Sequence, residues 1–364
     1  MENSTAAQES SPLSSSSVSP PAFLNRIPSL DGLRAISILM VVIAHAIDPN
    51  GYPQLYAYCG HIGNYGVRIF FLISGFLITT LLLQEVQSNG SISLLNFYIR
   101  RSLRIFPAFY FYVGVVFLLA QGSYIRLLPG DMLHTLTFTM NYHEIRAWYL
   151  NHTWSLSVEE QFYLLWPAIL TFAGPRNAIR FSLLAIAVVP LIRILMLFGF
   201  DASPTALGRQ FQAVSDALAT GCLLAGAYNR ITLWPLYLHL QQSTFYILIP
   251  ATFLALSGAL YKASPPLYYI LGQSVANLGA ALLLDYAVRL PNSTSGRLLN
   301  FPALARIGTW SYSLYLWQQL FLDYEPNGLG IPFPWNVICT FATALLSFYA
   351  IEKQFFRLRH RFAS

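Results

Sequence analysis

Apolar residues in this chain come in runs long enough to cross a lipid bilayer, and the short stretches between them hold most of the charges. A membrane-spanning helix needs roughly 20 predominantly apolar residues. Ten segments fit that pattern: 33–50, 64–86, 104–121, 157–174, 179–199, 211–228, 233–256, 266–288, 306–323 and 333–351. No internal repeat runs through them. The pattern predicts an all-α fold, a polytopic membrane helix bundle of about ten transmembrane helices. Residues 1–25 are rich in Ser and Pro and read as a disordered N-terminal tail. They lack the basic and apolar regions of a secretory signal, so the first apolar run, near Ile36 to Ile47, is expected to act as an uncleaved signal-anchor. The membrane domain is expected over 26–352, followed by a basic tail over 353–364.

Composition agrees with the pattern. Hydrophobic residues make up 55% of the chain and charged residues only 10%, with a mean hydropathy of +0.50. A soluble globule carries about 25% charged residues, so this chain is expected to reside in lipid. The net charge of +6 has a topological explanation. Ten spans with both termini cytoplasmic place Arg26, Arg100, Arg101, Arg104, Arg176, Arg180, Arg230, Arg289, Arg297, Arg306, Lys353, Arg357, Arg359 and Arg361 on the inside. Only Arg126, Arg146, Arg209 and Lys262 fall outside. That asymmetry is the positive-inside bias, and no nucleic-acid partner is needed to account for the charge. Cys59, Cys222 and Cys339 are far apart and without metal-ligand spacing, so neither a disulfide framework nor a metal site is expected.

Several polar constellations interrupt the apolar pattern. In Leu30-Asp31-Gly32-Leu33-Arg34, followed by an apolar run to His45, the eleven-residue spacing turns about 1100° and rises about 16 Å along a helix. Arg34 and His45 therefore share a face, with the histidine deep in the membrane, where an ionisable residue is costly and signals function. The alternative is a snorkelling arginine and an interhelical histidine bond. Ser74 and Gly75 sit mid-membrane in the second span, either for close helix packing or to bond a reacting carbonyl. Arg100, Arg101 and Arg104 open the third span. They suit a phosphorylated nucleotide, because the guanidinium fork matches phosphate oxygens, and they also serve topology. Ser157 and Glu160 have capping-box spacing. Glu159 has no such duty and is a candidate to orient a catalytic histidine, against the plainer role of an anion at a helix N-terminus. The loop 122–156, with His134, His143, Glu144, Arg146, Trp148 and His152, is long enough to be functional or a solvated connector. The aromatic run Trp310 to Trp317 reads as an interfacial belt.

Taken in order, LDGLR with its arginine-to-histidine spacing, FFLISGF, RRSLRIFP, TWSLSVEEQFYLLWP, SDALATG and SYSLYLW resemble the acyltransferase 3 family of membrane O-acyltransferases, from about residue 28 to 360. The resemblance implies an acyl-CoA donor, usually acetyl-CoA, and no metal. It implies a glycan or lipid-linked sugar acceptor of the cell envelope, such as lipopolysaccharide, exopolysaccharide or peptidoglycan precursors, and a place in the inner membrane of a bacterium. It assigns His45 and Arg34 an essential pair, Glu159 a catalytic or structural role, and Arg101 and Arg104 donor binding. Three positions depart from the family pattern: Gln318 where many relatives have histidine, Arg68 for a frequent acid, and Gln354 for a frequent proline.

The expected mechanism puts donor phosphates on Arg101, Arg104 and Arg34, with Ser74 near the reacting carbonyl. His45 is base or acyl carrier, and Glu159 holds its tautomer. The rival readings are a multi-pass transporter of sugars or lipid-linked intermediates, which predicts an inverted repeat and broken helices, a membrane scaffold, and an intramembrane hydrolase pairing Ser74 with His45.

Overall fold

The computed structural model describes residues 28–359, apart from 232, 244, 326 and 327. The N-terminal tail assigned to 1–25, and residues 360–364 of the basic C-terminal tail, lie outside the described residues. Among the described residues the chain is helical and has no strands.

The main helices are α1 (Pro28–Ala46), α2 (Pro53–Asn89), α3 (Leu94–Gln121), α4 (Thr153–Gly199), α5 (Phe211–Ile231), α6 (Leu248–Ala263), α7 (Gln273–Arg289), α8 (Ser311–Phe321) and α9 (Trp335–Ser347). Among the described residues six helical stretches are long and apolar enough to cross a membrane: Ser29–Ala46, Pro53–Asn89, Leu94–Gln121, Trp148–Gly199, Pro265–Arg289 and Trp335–Leu358. This is the signature of an integral membrane protein. The predicted runs 157–174 and 179–199 fall on one long helix, α4, broken at Gly174. Gly174 adopts a left-handed φ of 77° directly before Pro175, a pairing that stops regular helical hydrogen bonding. The run predicted at 233–256 divides instead into Pro235–Gln242 and α6.

Local chemistry explains several boundaries. Pro53 opens α2 at a position where its missing N–H is not needed, and Gly90 closes the helix in the left-handed conformation with φ 74°. The centre of the bundle is α5, which packs on both α2 and α4. There the small residues of two motifs meet. A Cβ on Gly75 would strike the carbonyl oxygen of Leu218, and a Cβ on Gly221 would strike that of Leu72. FFLISGF and SDALATG therefore bring two backbones together, as small residues do in membrane bundles. Gly32 and Gly308 act likewise, seating α1 against Leu299 and against helix Pro302–Thr309.

A buried ion pair pins the same region. Arg193 of α4, fully buried, donates to the Asp216 carboxylate of α5 at 2.6 Å. Ser274 bonds both partners, at 3.0 Å to Arg193 and 2.7 Å to Asp216.

The segment between α3 and α4 is built, not a loose connector. Buried Asp131 accepts from the backbone N–H groups of Leu128 (2.7 Å) and Ala147 (3.1 Å), and it pairs with His143 at 3.2 Å. Arg146 closes the turn onto the Met140 carbonyl at 2.6 Å. The capping box expected from Ser157 and Glu160 does not form. α4 starts at Thr153, so Ser157 lies inside the helix and returns its hydroxyl to the Thr153 carbonyl at 3.0 Å. The aromatic run near 310–317 is no interfacial belt either, since Leu314 to Leu320 are all buried in α8.

Candidate active site

Two cavities lie side by side in the bundle. The smaller, about 130 Å³, is lined by Arg34, Ser74, Arg101, Arg104 and Glu159. Five of the six residues singled out from sequence thus converge from α1, α2, α3 and α4. The larger, about 390 Å³, is lined by the sixth, His45. Val67, Phe71 and Tyr315 line both cavities and form the partition between them. Arg34 and His45 sit on one helix, as their spacing requires, but each serves a different chamber.

The three arginines that open α3 divide by helical phase. Arg100 turns away and pairs with Glu85 at 3.2 Å. Arg101 and Arg104, three residues apart and hence on one face, turn into the smaller cavity. The Arg101 guanidinium stacks 3.6 Å from the centre of the Tyr163 ring and lies 3.8 Å from the Glu159 carboxylate. Tyr163, one turn after Glu159, donates to that carboxylate and lies 3.1 Å from the Ser74 hydroxyl. Arg34 is steadied by Asp31 of the LDGLR segment at 3.2 Å. The chamber is thus rimmed by three guanidinium groups, Arg34 beside Asp31 and Arg101 beside Glu159, and guanidinium forks suit the oxygens of a polyanionic ligand.

Glu159 does not hold His45, contrary to expectation. Its carboxylate is committed to Arg101 and Tyr163 on the other side of the partition. The partner of His45 is Gln318 of α8, with Nδ1 and Oε1 2.7 Å apart. An amide oxygen only accepts, so Nδ1 carries the proton and Nε2 keeps the lone pair. Trp148 packs edge-on against the imidazole, ring centres 5.2 Å apart. The end of the 122–156 segment therefore reaches this chamber. An adjacent pair repeats the device: Gln319 Oε1 lies 2.8 Å from His152 Nδ1 and accepts the His152 backbone N–H at 3.0 Å. His152 also lines the larger cavity.

Gln318, Gln319, His152, Tyr163 and Arg209 were not among the residues singled out as a site. The available signal for the glutamines was two adjacent amides within an apolar helix, groups that need partners in lipid. Their partners lie more than 160 residues away in sequence, so only the fold names them. Ser74 has no contact with His45 and lines a different chamber, which removes the hydrolase dyad.

Comparison with known proteins agrees with the motifs. The chain is 30% identical to the peptidoglycan O-acetyltransferase OatA of Listeria monocytogenes, across 90% of this chain and 55% of that protein. It is 31% identical to a putative peptidoglycan O-acetyltransferase, YrhL, of Bacillus subtilis, across 90% of this chain and 54% of that protein. The O-acetyltransferase OatA of Staphylococcus aureus is 29% identical across 80% of this chain and 50% of its own length. The chain thus spans about half the length of the curated relatives it matches. No solved structure matches. The acyltransferase domain family matches residues 27–353, nearly the whole of the described bundle, and the chain therefore belongs to the acyltransferase 3 family.

Proposed function

We propose that the chain is a multi-pass O-acetyltransferase of a bacterial inner membrane, moving an acetyl group from acetyl-CoA to a hydroxyl of a cell-envelope glycan. The observation that carries this reading is the pair of abutting chambers, one rimmed by Arg34, Arg101 and Arg104 and the other holding His45. The names of the relatives point to peptidoglycan as the kind of acceptor.

In this reading the smaller chamber takes only part of coenzyme A, whose phosphates lie on Arg101, Arg104 and Arg34 at its rim while the rest of the molecule extends beyond it. Tyr163 and Glu159 hold the Arg101 guanidinium in place by stacking and charge. The thioester meets the acceptor at the partition of Val67, Phe71 and Tyr315. His45, with Nδ1–H given to Gln318, presents Nε2 as the basic nitrogen. It takes the proton from the acceptor hydroxyl as that oxygen attacks the thioester carbonyl. The C–S bond breaks, the coenzyme A thiolate leaves, and it recovers the proton from the imidazolium. In this reading Ser74, which lines the donor side, bonds the carbonyl oxygen.

Ten crossings with both ends in the cytoplasm complete the reading. Each predicted apolar run coincides with helix over most of its length, and the loop cations favour one side. The donor chamber then opens to the cytoplasm, where coenzyme A is available.

The test uses the full-length chain reconstituted in lipid with radiolabelled acetyl-CoA and peptidoglycan fragments. Wild type should release coenzyme A and label the glycan, and His45→Ala should do neither. Label retained on wild-type protein without acceptor, and absent from His45→Ala, would replace direct transfer by an acetyl-histidine intermediate. Labelled glycan from His45→Ala at the wild-type rate would overturn the reading.

A further inference from the structure

The larger chamber holds cations and no acid. Arg68 from α2 and Arg209 from helix Pro204–Arg209 line it, together with His61 and His152, and none of its lining residues is Asp or Glu. Arg68 is 6% exposed. It donates from Nη1 to the Asn277 amide oxygen at 3.0 Å. Arg209 donates from Nη1 to the Asn151 amide oxygen at 2.6 Å and lies 5.7 Å from the centre of the Trp154 ring. Both partners are neutral. Among the described residues, neither guanidinium has a carboxylate at ion-pair distance, and the acid whose field reaches Arg68, Asp216, is already bonded to Arg193 and Ser274.

A buried guanidinium without a counter-charge is strongly unfavourable, and Arg68 is in that position. Arg209 is only half-buried, and the two guanidinium groups around one chamber describe a site that an anion completes. The guanidinium fork fits the oxygens of carboxylate and phosphate alike. The chamber volume falls within the roughly 300–1,000 Å³ of small-molecule sites, and Tyr268 and Trp154 add aromatic side chains to its lining. Tyr268 stands on a π-helical turn, Tyr268–Gly272, a distortion frequent at functional sites.

We propose that the larger chamber takes an acidic acceptor, a saccharide whose carboxylate or phosphate is held by Arg68 and Arg209 while its hydroxyl faces His45. This rests on the reading of that chamber as the acceptor side and sharpens it, since a neutral glycan leaves both charges unanswered. A carboxylate would belong to the sugar itself, and a phosphate to the link between the sugar and a lipid carrier.

Binding can be measured apart from turnover. Trp148 and Trp154 line the chamber, so intrinsic fluorescence reports occupancy in the full-length His45→Ala protein held in lipid nanodiscs. The probes are a muramate-containing disaccharide with its free carboxylate, the same disaccharide with the carboxyl reduced to an alcohol, and N-acetylglucosamine 1-phosphate. At least one anionic probe should bind about 10-fold or more tightly than the neutral one, as expected when buried charges would otherwise stay unpaired. The anion that binds tighter identifies the source. Arg68→Gln and Arg209→Gln should each remove most of that preference, and Arg68→Lys should keep part of it, which separates lost charge from lost fold. Equal binding of charged and neutral probes, or no binding, overturns the proposal. Radiolabelled acetyl-CoA turnover by wild type is scored separately. Anion preference without coenzyme A release leaves the anion site standing and sinks acetyl transfer, and release without preference does the reverse.

Discussion

Gln318 sets the chemistry of His45 by being able only to accept at its amide oxygen. Replacing it with leucine keeps the volume but removes the acceptor for Nδ1–H, so the imidazole is free to adopt the other tautomer or turn. General-base catalysis contributes on the order of 100-fold or more. Gln318→Leu should therefore lower the turnover number by about 10- to 100-fold while the KM for acetyl-CoA stays put, as measured by coenzyme A release. Arginines one residue apart make a sharper comparison. Arg101 faces the smaller chamber and Arg100 is bonded to Glu85. Arg101→Ala should raise the KM for acetyl-CoA about 10-fold or more, the scale of a lost charge-assisted hydrogen bond. Arg100→Ala should leave it unchanged. Equal effects would mean that the arginines act through topology alone.

Between elements, the α2–α5 contact and the Arg193–Asp216 pair fix how the central helices pack. Gly75→Val adds a branched side chain where a single Cβ already meets the Leu218 carbonyl. Overpacking costs about 1–3 kcal/mol and more where backbone must move, so the variant should melt earlier in detergent and lose activity with it. Arg193→Met leaves Asp216 charged and buried, a loss of about 3–5 kcal/mol. The double variant Arg193→Met, Asp216→Leu should recover much of that stability, because it removes the stranded charge. A double variant as unstable as the single would show that the pair acts through its shape and not its charge.

At the scale of the whole molecule, the proposed reading has a soluble donor and an envelope glycan reach two abutting chambers without sharing an entrance. That requires opposite faces of the membrane. Ile145 and Leu298 are both well exposed, at 76% and 66%, and the ten-span topology puts them on opposite sides. In a background with the native cysteines replaced, Ile145→Cys should react with a membrane-impermeant maleimide in intact cells. Leu298→Cys should react only after permeabilisation. Labelling of both from outside would require a different count of crossings.

The all-helical membrane character was legible in the sequence because burial in lipid is a property of each segment by itself, written in runs of about 20 apolar residues. The polar residues that gather in the smaller chamber were legible for a related reason. A charge such as Arg34, Arg101, Arg104 or Glu159 inside an apolar run is expensive wherever the helix packs, so it stands out before any contact is known. The division of labour among them was not legible. That Arg100 turns away, that Glu159 serves Arg101 and not His45, and that Gln318 holds the imidazole from 273 residues away depend on how α1, α3, α4 and α8 rotate against one another. Such rotations are decided by backbone contacts at glycines such as Gly75 and Gly221, whose partners come from distant helices. The linear pattern determines what must be buried; only the packed bundle decides which buried group meets which.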